Sequence, residues 1–433
     1  MKIAVYHGNF ASVAGGGEVA ALKLVKALKE LGHEVDLYTS FLDEEVARLV
    51  CENAGICPAM KIISVESACN KIFSILSEKL PLTSTWILSW YSCAMKELLP
   101  KINELSEEYD IVIADQSPAV ASASYILPGD IMYFHGPAML TGLGPLAKYI
   151  PEGNEPFVRL YKKLVSGMEF RTFIKVICNN KATRKVIANS TWTKGGLLEV
   201  NMPFLLGAPR FCKPKVAELL RGADVVYPPI DYESLSSMYD SQVKRNLVLT
   251  VARYDPGKKL WFTIYVASML PNIHFVIAGT TRTAHSAEVL AQLEFLVDRL
   301  RIKNVTLERD IPRRRLLDLY AEARNYLHPP FTESFGIAIA EGAAAGAVPV
   351  VYRDGGGWTD IAAKIDHSLG YTTVEEAATI LHKLLSSREL WLRLSKRSIE
   401  IAADFSWDSY KRKLDAAVRE ARRLKSTIFP RLA

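Results

Sequence analysis

The sequence of 433 residues lacks several features that mark common protein classes. No apolar run approaches the roughly 20 residues that a membrane-spanning helix needs. The chain opens with a strand-like MKIAVYH instead of a charged and then apolar leader, so no secretion signal is expected. The six cysteines include no C-x-x-C pair, which predicts free thiols in a reducing compartment. These absences favour a cytoplasmic protein.

The signature motifs of several catalytic sites are missing as well. The chain has no G-x-G-x-x-G dinucleotide fingerprint, no G-x-x-x-x-G-K-[ST] phosphate loop and no G-x-S-x-G nucleophile elbow. No two aspartates stand two positions apart, no histidines pair at i and i+4, and no Cys/His cluster has zinc spacing. We therefore expect no cofactor and chemistry that proceeds without a bound metal.

The composition is that of a globular protein, with positive charge concentrated in two blocks. Hydrophobic residues make up 49% and charged residues 23%, and the formal net charge is +6. Gly142–Lys185 holds nine basic against three acidic residues, and Asp408–Ala433 holds eight against three. Either block alone is most simply a solvated helical face. Together they predict a basic surface that faces phosphates of a lipid, a nucleic acid or a polyanionic substrate.

Strand and helix patterns alternate along the chain in two series. The first begins with the strand Lys2–His7, and the second begins with the strand Asn246–Ala252, after the linker Tyr227-Pro228-Pro229. Such alternation predicts parallel sheets covered by helices. We predict two α/β domains facing each other across a cleft, residues 1–228 and 229–406. The last predicted helices lie within 407–433, and the sequence is consistent with their packing against the first or the second domain.

Two loops at predicted strand ends carry residue types that suit phosphate groups. Gly15-Gly16-Gly17-Glu18 follows the first strand and opens a helix, where glycines let backbone N–H groups approach an anion. In VARYDPGKK, Arg253 and Lys258 follow the strand that begins the second series, and an arginine fork with a lysine point charge suits a diphosphate. The simpler alternatives are a flexible turn and a loop held by surface ion pairs.

Two further places carry titratable side chains. His135 ends the apolar strand IMYF, where a structural hydrogen bond and a part in catalysis are equally consistent with the pattern. In FTESFGIAIAEG, Glu333 precedes a helix predicted to start near Phe335, and Glu341 lies about a turn and a half into it. Since a helix start attracts anions, two carboxylates there suggest a ligand that carries both an anionic group and hydroxyls. Gly355-Gly356-Gly357 is predicted to be another loop that offers backbone donors.

This ordered set resembles the retaining glycosyltransferases of family four, which have the GT-B fold of two Rossmann-like domains. The resemblance runs from Met1 to about Trp407. The motifs that carry the resemblance are the Gly-Gly-x-Glu loop, Arg253 with Lys258, Glu333 with Glu341, the run Ala-Gly-x-x-Pro-Val-Val and the glycine triplet.

Within that family, the looser match is to the cytosolic-face mannosyltransferases that extend the dolichol-linked N-glycan precursor. This looser match is carried by the segments Asn189–Lys194 and Val226–Pro229 and by the residue Asp360. Ser334 stands where those enzymes tend to have histidine, which bears on the donor sugar. Gly257 replaces a frequent glutamate before Lys258, which changes little because the lysine is kept.

The resemblance implies a retaining, metal-independent hexosyltransferase with an acceptor domain at 1–228 and a nucleotide-sugar domain at 229–406. Glu333 would accept hydrogen bonds from hydroxyls of the donor sugar, and Glu341 from the ribose. The implied catalytic residues are Glu333, His135, Arg253 and Lys258. The implied donor-binding residues are Gly16, Gly17, Arg253, Lys258, Ser334, Phe335, Gly336, Ile337 and Glu341. The implied acceptor-binding residues are Gly15, Glu18 and His135.

The resemblance also implies GDP-mannose as the donor and a lipid-linked saccharide as the acceptor. One predicted helix carries an apolar face, made of Trp86, Ile87, Trp90, Tyr91, Ala94 and Leu98. This face either packs in the core or forms a surface that binds a membrane interface. With the basic block in the first domain, it predicts peripheral binding to the anionic cytosolic face of a membrane and no nucleic-acid partner. Three alternatives stay open: a UDP-sugar-dependent glycosyltransferase of glycolipid or polysaccharide synthesis, a GT-B nucleotide-sugar epimerase, and a non-catalytic sugar-binding protein.

Overall fold

A computed structural model describes most of the chain in two compact units. The described residues are 1–7, 9–10, 16–39, 41–54, 62–65, 101, 104–116, 129–136, 183–197, 213–281, 286–330 and 333–428. The first unit is Met1–Val226 with Lys411–Ala433, and the second is Tyr227–Tyr410. Gly15, the apolar face at 86–98 and residues 142–182 of the basic block lie outside the described residues.

The first unit is built on a parallel sheet. Its strands are β1 (Lys2–His7), β2 (Asn9–Phe10), β3 (Glu34–Thr39), β4 (Phe41–Leu42), β5 (Ile62–Ser64), β6 (Ile111–Gln116), β7 (Ile131–Phe134), β8 (Lys185–Ala188) and β9 (Asp224–Val225). In the described part of the unit, seven strands form one sheet in the order β5-β3-β1-β6-β7-β8-β9, while β2 pairs with β4. All of these pairings are parallel.

Helices connect these strands and cover the sheet with apolar faces. They are α1 (Gly16–Glu30), α2 (Glu44–Ala54) and α3 (Lys213–Arg221), with further short helical segments at 104–108 and 191–197. Helix α1 buries Leu24, Val25 and Leu28 completely, which is the three-and-four spacing of one helix face. It begins at Gly16, within the Gly15-Gly16-Gly17-Glu18 stretch that was predicted to open a helix.

The second unit repeats the same architecture. Its strands are β10 (Arg245–Val251), β11 (His274–Gly279), β12 (Val305–Arg309), β13 (Ala323–His328), β14 (Val348–Tyr352) and β15 (Gly370–Tyr371). They form a sheet in the order β12-β11-β10-β13-β14-β15 within the described residues, with parallel pairing throughout. The predicted α/β class is therefore confirmed in both units.

Helices alternate with the strands of this second sheet. They are α4 (Tyr232–Ser237), α5 (Trp261–Met269), α6 (Ser286–Arg299), α7 (Arg313–Glu322), α8 (Ile337–Ala344), α9 (Ala363–Ile365), α10 (Val374–Ser386) and α11 (Arg388–Ala402). Short 3-10 turns lie at Pro256–Lys258, His367–Leu369 and Ala403–Phe405, and a π-helical turn lies at Gly357–Ala362. A buried apolar cluster that includes Leu260, Ile264 and Leu293 packs α5 and α6 against the sheet.

The last helix, α12 (Trp407–Ile428), begins in the second unit and belongs to the first from Lys411 onward. It buries Leu414, Val418 and Ala421 completely. Its Lys425 Nζ lies 3.0 Å from Oδ2 of the buried Asp130. None of the helices in the described ranges is long and apolar enough to cross a membrane.

Candidate active site

The loops after β10 and β13 lie together because the two strands are parallel neighbours. After β10, Tyr254 anchors its loop by donating from its buried hydroxyl to the main-chain oxygen of Ile277 at 3.0 Å. The carboxylate of Asp255 accepts from the N–H of Gly257 at 2.9 Å and caps the turn that carries Lys258. This edge of a parallel sheet, at the carboxyl ends of its strands, is where such folds bind ligands.

Lys258 and Glu333 form an ion pair across these two loops. Lys258 Nζ lies 2.6 Å from Glu333 Oε1, with side-chain exposures of 21% and 30%. Burial raises the pKa of Glu333, but the nearby charges of Lys258, His328 and Arg253 outweigh it and hold that pKa below its usual value. The structure therefore brings together three residues that the sequence singled out, Arg253, Lys258 and Glu333.

Helix α8 begins at Ile337, shortly after the loop that holds Glu333, Ser334 and Phe335. Gly336 precedes it with φ +98, a left-handed conformation that favours glycine, so the helix starts at Ile337 instead of near Phe335. Within the described residues no side chain caps this start. The first N–H groups of a helix have no acceptor inside it, and they give the start a partial positive charge.

Glu341 lies on α8 and is nearly buried, with 12% of its side chain exposed. Its Oε1 lies 2.6 Å from Arg313 Nη2, and its Oε2 accepts from the Tyr320 hydroxyl at 3.1 Å. The partners Arg313 and Tyr320 were not predicted from the sequence. The sequence shows only that both lie on one amphipathic helix, and nothing in it connects them to Glu341.

The triplet Gly355-Gly356-Gly357 packs against the Glu333 loop. The N–H of Gly356 donates to the main-chain oxygen of Glu333 at 2.7 Å, and the N–H of Gly355 donates to Oδ1 of Asp354 at 2.8 Å. A Cβ at Gly356 would lie 2.2 Å from the main-chain oxygen of Ser334. The prediction that this loop offers backbone donors to a ligand is therefore wrong for Gly355 and Gly356, whose glycines serve close packing.

Aromatic packing supports the same loop from the other side. Phe335 is buried and stacks on Tyr227, with ring centroids 5.5 Å apart. The Tyr227 hydroxyl donates to Oδ1 of the buried Asp360 at 2.9 Å and accepts from Lys364 Nζ at 2.9 Å. Burial, with Asp360 as the next cause, raises the pKa of Tyr227, so it stays a neutral donor. The residues Tyr227 and Asp360, which the resemblance had picked out, hold the loop in place.

The remaining predicted residues belong to the first unit. Gly16 and Gly17 form the first turn of α1, and Glu18 follows them in that turn. His135 is buried just after β7, and its main-chain oxygen accepts from Asn189 Nδ2 at 2.9 Å. Asn189 is the first residue of a segment, Asn189–Lys194, that had carried part of the resemblance.

Two residues that the sequence did not single out join His135. Asp115 Oδ1 lies 2.6 Å from His135 Nε2, and Asp115 Oδ2 lies 2.7 Å from His7 Nδ1. Burial raises the pKa of Asp115, but the charge and hydrogen bonds of His135 and His7 outweigh it and hold that pKa well below its usual range. The sequence places a histidine at the end of β1 and an aspartate near the end of β6, and these positions could have identified both residues as candidates.

Comparison with known proteins identifies the second unit. Residues 231–401 match the family described as Glycosyl transferases group 1. The second unit is a group 1 glycosyl transferase domain. For residues 231–401, this assignment confirms the family resemblance that was first seen in the motifs around Arg253, Glu333 and Glu341.

Curated relatives of this chain match across part of their length. A protein of Dictyostelium discoideum named GDP-Man:Man(3)GlcNAc(2)-PP-Dol alpha-1,2-mannosyltransferase is 24% identical over 271 residues, which cover 57% of this chain and 51% of that protein. The human protein of the same name is 26% identical over 238 residues, covering 51% and 45%. A D-inositol 3-phosphate glycosyltransferase of Mycolicibacterium smegmatis is 30% identical over 198 residues, covering 42% and 44%. The chain thus spans about half the length of these relatives.

Solved structures match nearly the whole chain. A structure of Anabaena HepE in complex with UDP and glucose covers 97% of this chain and 99% of its own, with 16% identity and a TM-score of 0.61. WaaG, a glycosyltransferase of lipopolysaccharide biosynthesis, covers 96% of this chain and 99% of its own, with 15% identity and a TM-score of 0.62. At such identities the likeness concerns the fold alone, and that fold is GT-B, as predicted.

Proposed function

We propose that the protein is a retaining, metal-independent hexosyltransferase that uses a nucleoside diphosphate sugar. The observation that carries the proposal is the ion pair of Lys258 and Glu333 beside the start of α8. Breaking a sugar–diphosphate bond leaves negative charge on the phosphate and positive charge on the sugar. Fixed cations and N–H donors next to a carboxylate match both changes.

Each residue of this group has a role in the proposed reaction. Lys258 and Arg253 stabilise the departing diphosphate together with the N–H groups at the start of α8. Glu333 accepts hydrogen bonds from hydroxyls of the donor sugar. Glu341, fixed by Arg313 and Tyr320, accepts from the ribose hydroxyls of the nucleotide.

We propose that configuration is retained without a covalent enzyme intermediate. The bond from the anomeric carbon to the diphosphate oxygen breaks, and a bond to the acceptor oxygen forms on the same face of the sugar. The departing phosphate takes the proton of the acceptor hydroxyl, so charge and atoms balance without a separate base. His135 holds a saccharide hydroxyl and forms no bond to the sugar carbon.

GDP-mannose is the proposed donor. The names of the relatives from Dictyostelium discoideum and human support it, since both are called mannosyltransferases that use GDP-Man. Ser334 stands where such enzymes tend to have histidine, and this is the departure from their pattern that bears on the donor sugar. A UDP-sugar donor is therefore the outcome against which GDP-mannose is tested.

A lipid-linked saccharide at the cytosolic face of a membrane is the proposed acceptor. The PP-Dol in the relatives' names supports this class. Three arginines of α12, Arg419, Arg422 and Arg423, line one open surface depression, and such a basic surface suits the anionic headgroups of a membrane. We expect peripheral binding to vesicles that contain anionic lipid, measured by flotation. Equal binding to neutral vesicles would argue against the membrane part of the proposal.

Nucleotide binding by the purified protein tests the donor site. Calorimetry with GDP, UDP and ADP, without added metal, compares the wild type with Glu341→Ala. A matched control is Glu308→Ala, because Glu308 pairs with Arg315 at 2.7 Å in the same unit. Tight GDP binding that weakens in Glu341→Ala but not in the control supports the proposal. A preference for UDP removes GDP-mannose, and binding of none of the three removes the transferase.

A transfer assay then separates the classes of function. A transferase releases free GDP from GDP-mannose when a lipid-linked saccharide is added, and the sugar appears on that acceptor. Release or rearrangement of the donor without acceptor would indicate an epimerase or hydrolase. Activity that is unchanged in the presence of a chelator is expected, and its loss on chelation would contradict the metal-independent reaction.

A further inference from the structure

The carboxyl edge of the first sheet holds three titratable side chains in a row. His7 is the last residue of β1, Asp115 faces it on β6 in the strand register, and His135 follows β7. Strands β1, β6 and β7 are adjacent in the sheet. Asp115 therefore sits between two imidazoles, with Oδ2 at 2.7 Å from His7 Nδ1 and Oδ1 at 2.6 Å from His135 Nε2.

Burial makes this His7–Asp115–His135 cluster a fixed arrangement. The side chain of Asp115 has no solvent exposure, and those of His7 and His135 are 1% and 7% exposed. A buried carboxylate is stable only when its oxygens are hydrogen-bonded. Both rings are also packed, His7 against Phe10 at 4.9 Å and His135 against Tyr133 at 4.4 Å between ring centroids.

The chemistry of a carboxylate fixes the proton on each ring. An ionised carboxylate accepts hydrogen bonds and donates none, so the nitrogen that faces Asp115 must carry the proton on both histidines. His135 is then protonated at Nε2, and when the ring is neutral its Nδ1 bears a lone pair. Such a nitrogen accepts a hydrogen bond from a hydroxyl group.

We propose that Asp115 and His7 are positioning residues for His135. Asp115 holds the His135 ring as its Nε2–H tautomer, so that Nδ1 accepts a hydrogen bond from a saccharide hydroxyl. His7 holds Asp115 by donating to its second oxygen. The inference rests on the proposed transferase function for its substrate, while the state of the ring is a property of the protein by itself.

The state of the ring is measured by ¹⁵N NMR of the histidine imidazoles in the full chain. The His135 signals are assigned by their loss in His135→Gln. In the wild type we expect a protonated Nε2 and an unprotonated Nδ1. In Asp115→Asn we expect a mixture of tautomers, because an amide oxygen accepts from one ring only. A wild-type His135 protonated at Nδ1, or an Asp115→Asn variant with an unchanged ring, overturns the proposal.

Transfer kinetics provide the second readout. Asp115→Asn is expected to lower kcat by about a hundredfold with little change in KM, because a misplaced positioning group can slow a reaction by about that much. Loss of one donor in His7→Leu is expected to lower kcat roughly tenfold. In His7→Asn the amide nitrogen stands near the place of Nδ1 and still donates, so we expect kcat within about threefold of the wild type. Equal losses in His7→Leu and His7→Asn would overturn the role of His7.

A control variant separates positioning from folding. Asp130 is buried at the opposite edge of the same sheet, where its Oδ2 accepts from the N–H of Val112 at 2.9 Å. Asp130→Asn is expected to lower the unfolding temperature without altering the His135 ring signals. A wild-type protein that transfers no sugar but shows the expected ring state would refute the proposed function. The kinetic role would fall with it, and the assignment of the tautomer would stand.

Discussion

Lys258 Nζ lies 2.6 Å from Glu333 Oε1, and the two residues are 75 positions apart in the sequence. Parallel pairing of β10 and β13 brings their loops together. Because both side chains are partly exposed, such a pair contributes only about 0–1 kcal/mol to folding. The pair therefore serves the site more than the stability of the fold.

The first prediction separates those two roles of Lys258. In Lys258→Met we expect kcat/KM for sugar transfer to fall by about 10²–10³, because a fixed charge at the leaving diphosphate is lost. The free energy of unfolding in denaturant should change by less than about 1 kcal/mol. The matched control is Arg315→Met, which removes the pair with Glu308. A large loss of stability with unchanged transfer would make the pair structural.

The second prediction concerns the close packing of Gly356 against the Glu333 loop. Gly356 has φ −65, which alanine adopts easily, but the added Cβ would meet the main-chain oxygen of Ser334 at 2.2 Å. We expect Gly356→Ala to lower the unfolding free energy by about 1–3 kcal/mol and to weaken nucleotide binding. Gly257→Ala is the control, since its Cβ would meet only a side-chain oxygen of Asp255 at 3.2 Å. Equal effects of the two substitutions on binding would contradict this account.

The third prediction is a pH dependence that originates at Lys244. Its Nζ is buried and donates to the main-chain oxygens of Tyr320 at 2.8 Å and Ala323 at 2.9 Å, at the end of α7. Burial lowers the pKa of Lys244 to about 7. Between pH 7 and the unfolded value of 10.5, the unfolded chain binds more protons than the folded one. Stability due to Lys244 therefore rises with pH across this window.

Chemical denaturation of the wild type and Lys244→Met at pH 7 and pH 10 checks that sign. We expect the wild type to gain on the order of 2 kcal/mol relative to the variant as pH rises, since one pKa unit corresponds to about 1.4 kcal/mol. The two carbonyl acceptors also favour the charged amine, so the gain is smaller than the full shift allows. A wild type that loses stability relative to the variant over this range would refute the prediction.

The fourth prediction concerns the anchor of α12 on the first unit. Lys425 Nζ lies 3.0 Å from Oδ2 of Asp130, which is 1% exposed. Lys425→Met removes the cation that is hydrogen-bonded to that carboxyl group, and we expect a loss of about 3 kcal/mol in unfolding free energy. Lys411→Met is the control, because Lys411 meets the partly exposed Glu30 at 3.2 Å and should matter by less than about 1 kcal/mol. Similar losses of unfolding free energy in the two variants would show that burial of the ion pair does not determine its contribution to stability.

The α/β class and the donor-side residues could be predicted because both depend on local pattern. Buried strands such as Lys2–His7 appear as apolar runs, and residues directly after them must lie at one edge of the sheet. Arg253, Lys258 and Glu333 were found in this way. The start of α8 was predicted too early because its boundary depends on the left-handed conformation of Gly336, which sequence pattern does not specify.

Partners from distant segments could not be predicted. Asp115 and His7 are 108 positions apart, and only the strand order β1-β6-β7 places them with His135. The contact of Gly356 with Glu333 likewise depends on how two loops approach each other, so a glycine triplet in the sequence looked like a ligand loop. Arg313 was missed because nothing in its helix indicates that it faces Glu341.

Helix α12 has a consequence for the order in which the protein can be made. The first unit needs residues from Lys411 onward, and these leave the ribosome only after the whole of Tyr227–Tyr410 has been synthesised. Until then, Asp130 lacks Lys425 and the apolar sites for Leu414 and Val418 stay open to solvent. Although domains generally fold from the N-terminal one onward, here the second unit can complete its fold first. The first unit then completes its packing only after the C-terminal helix has been synthesised.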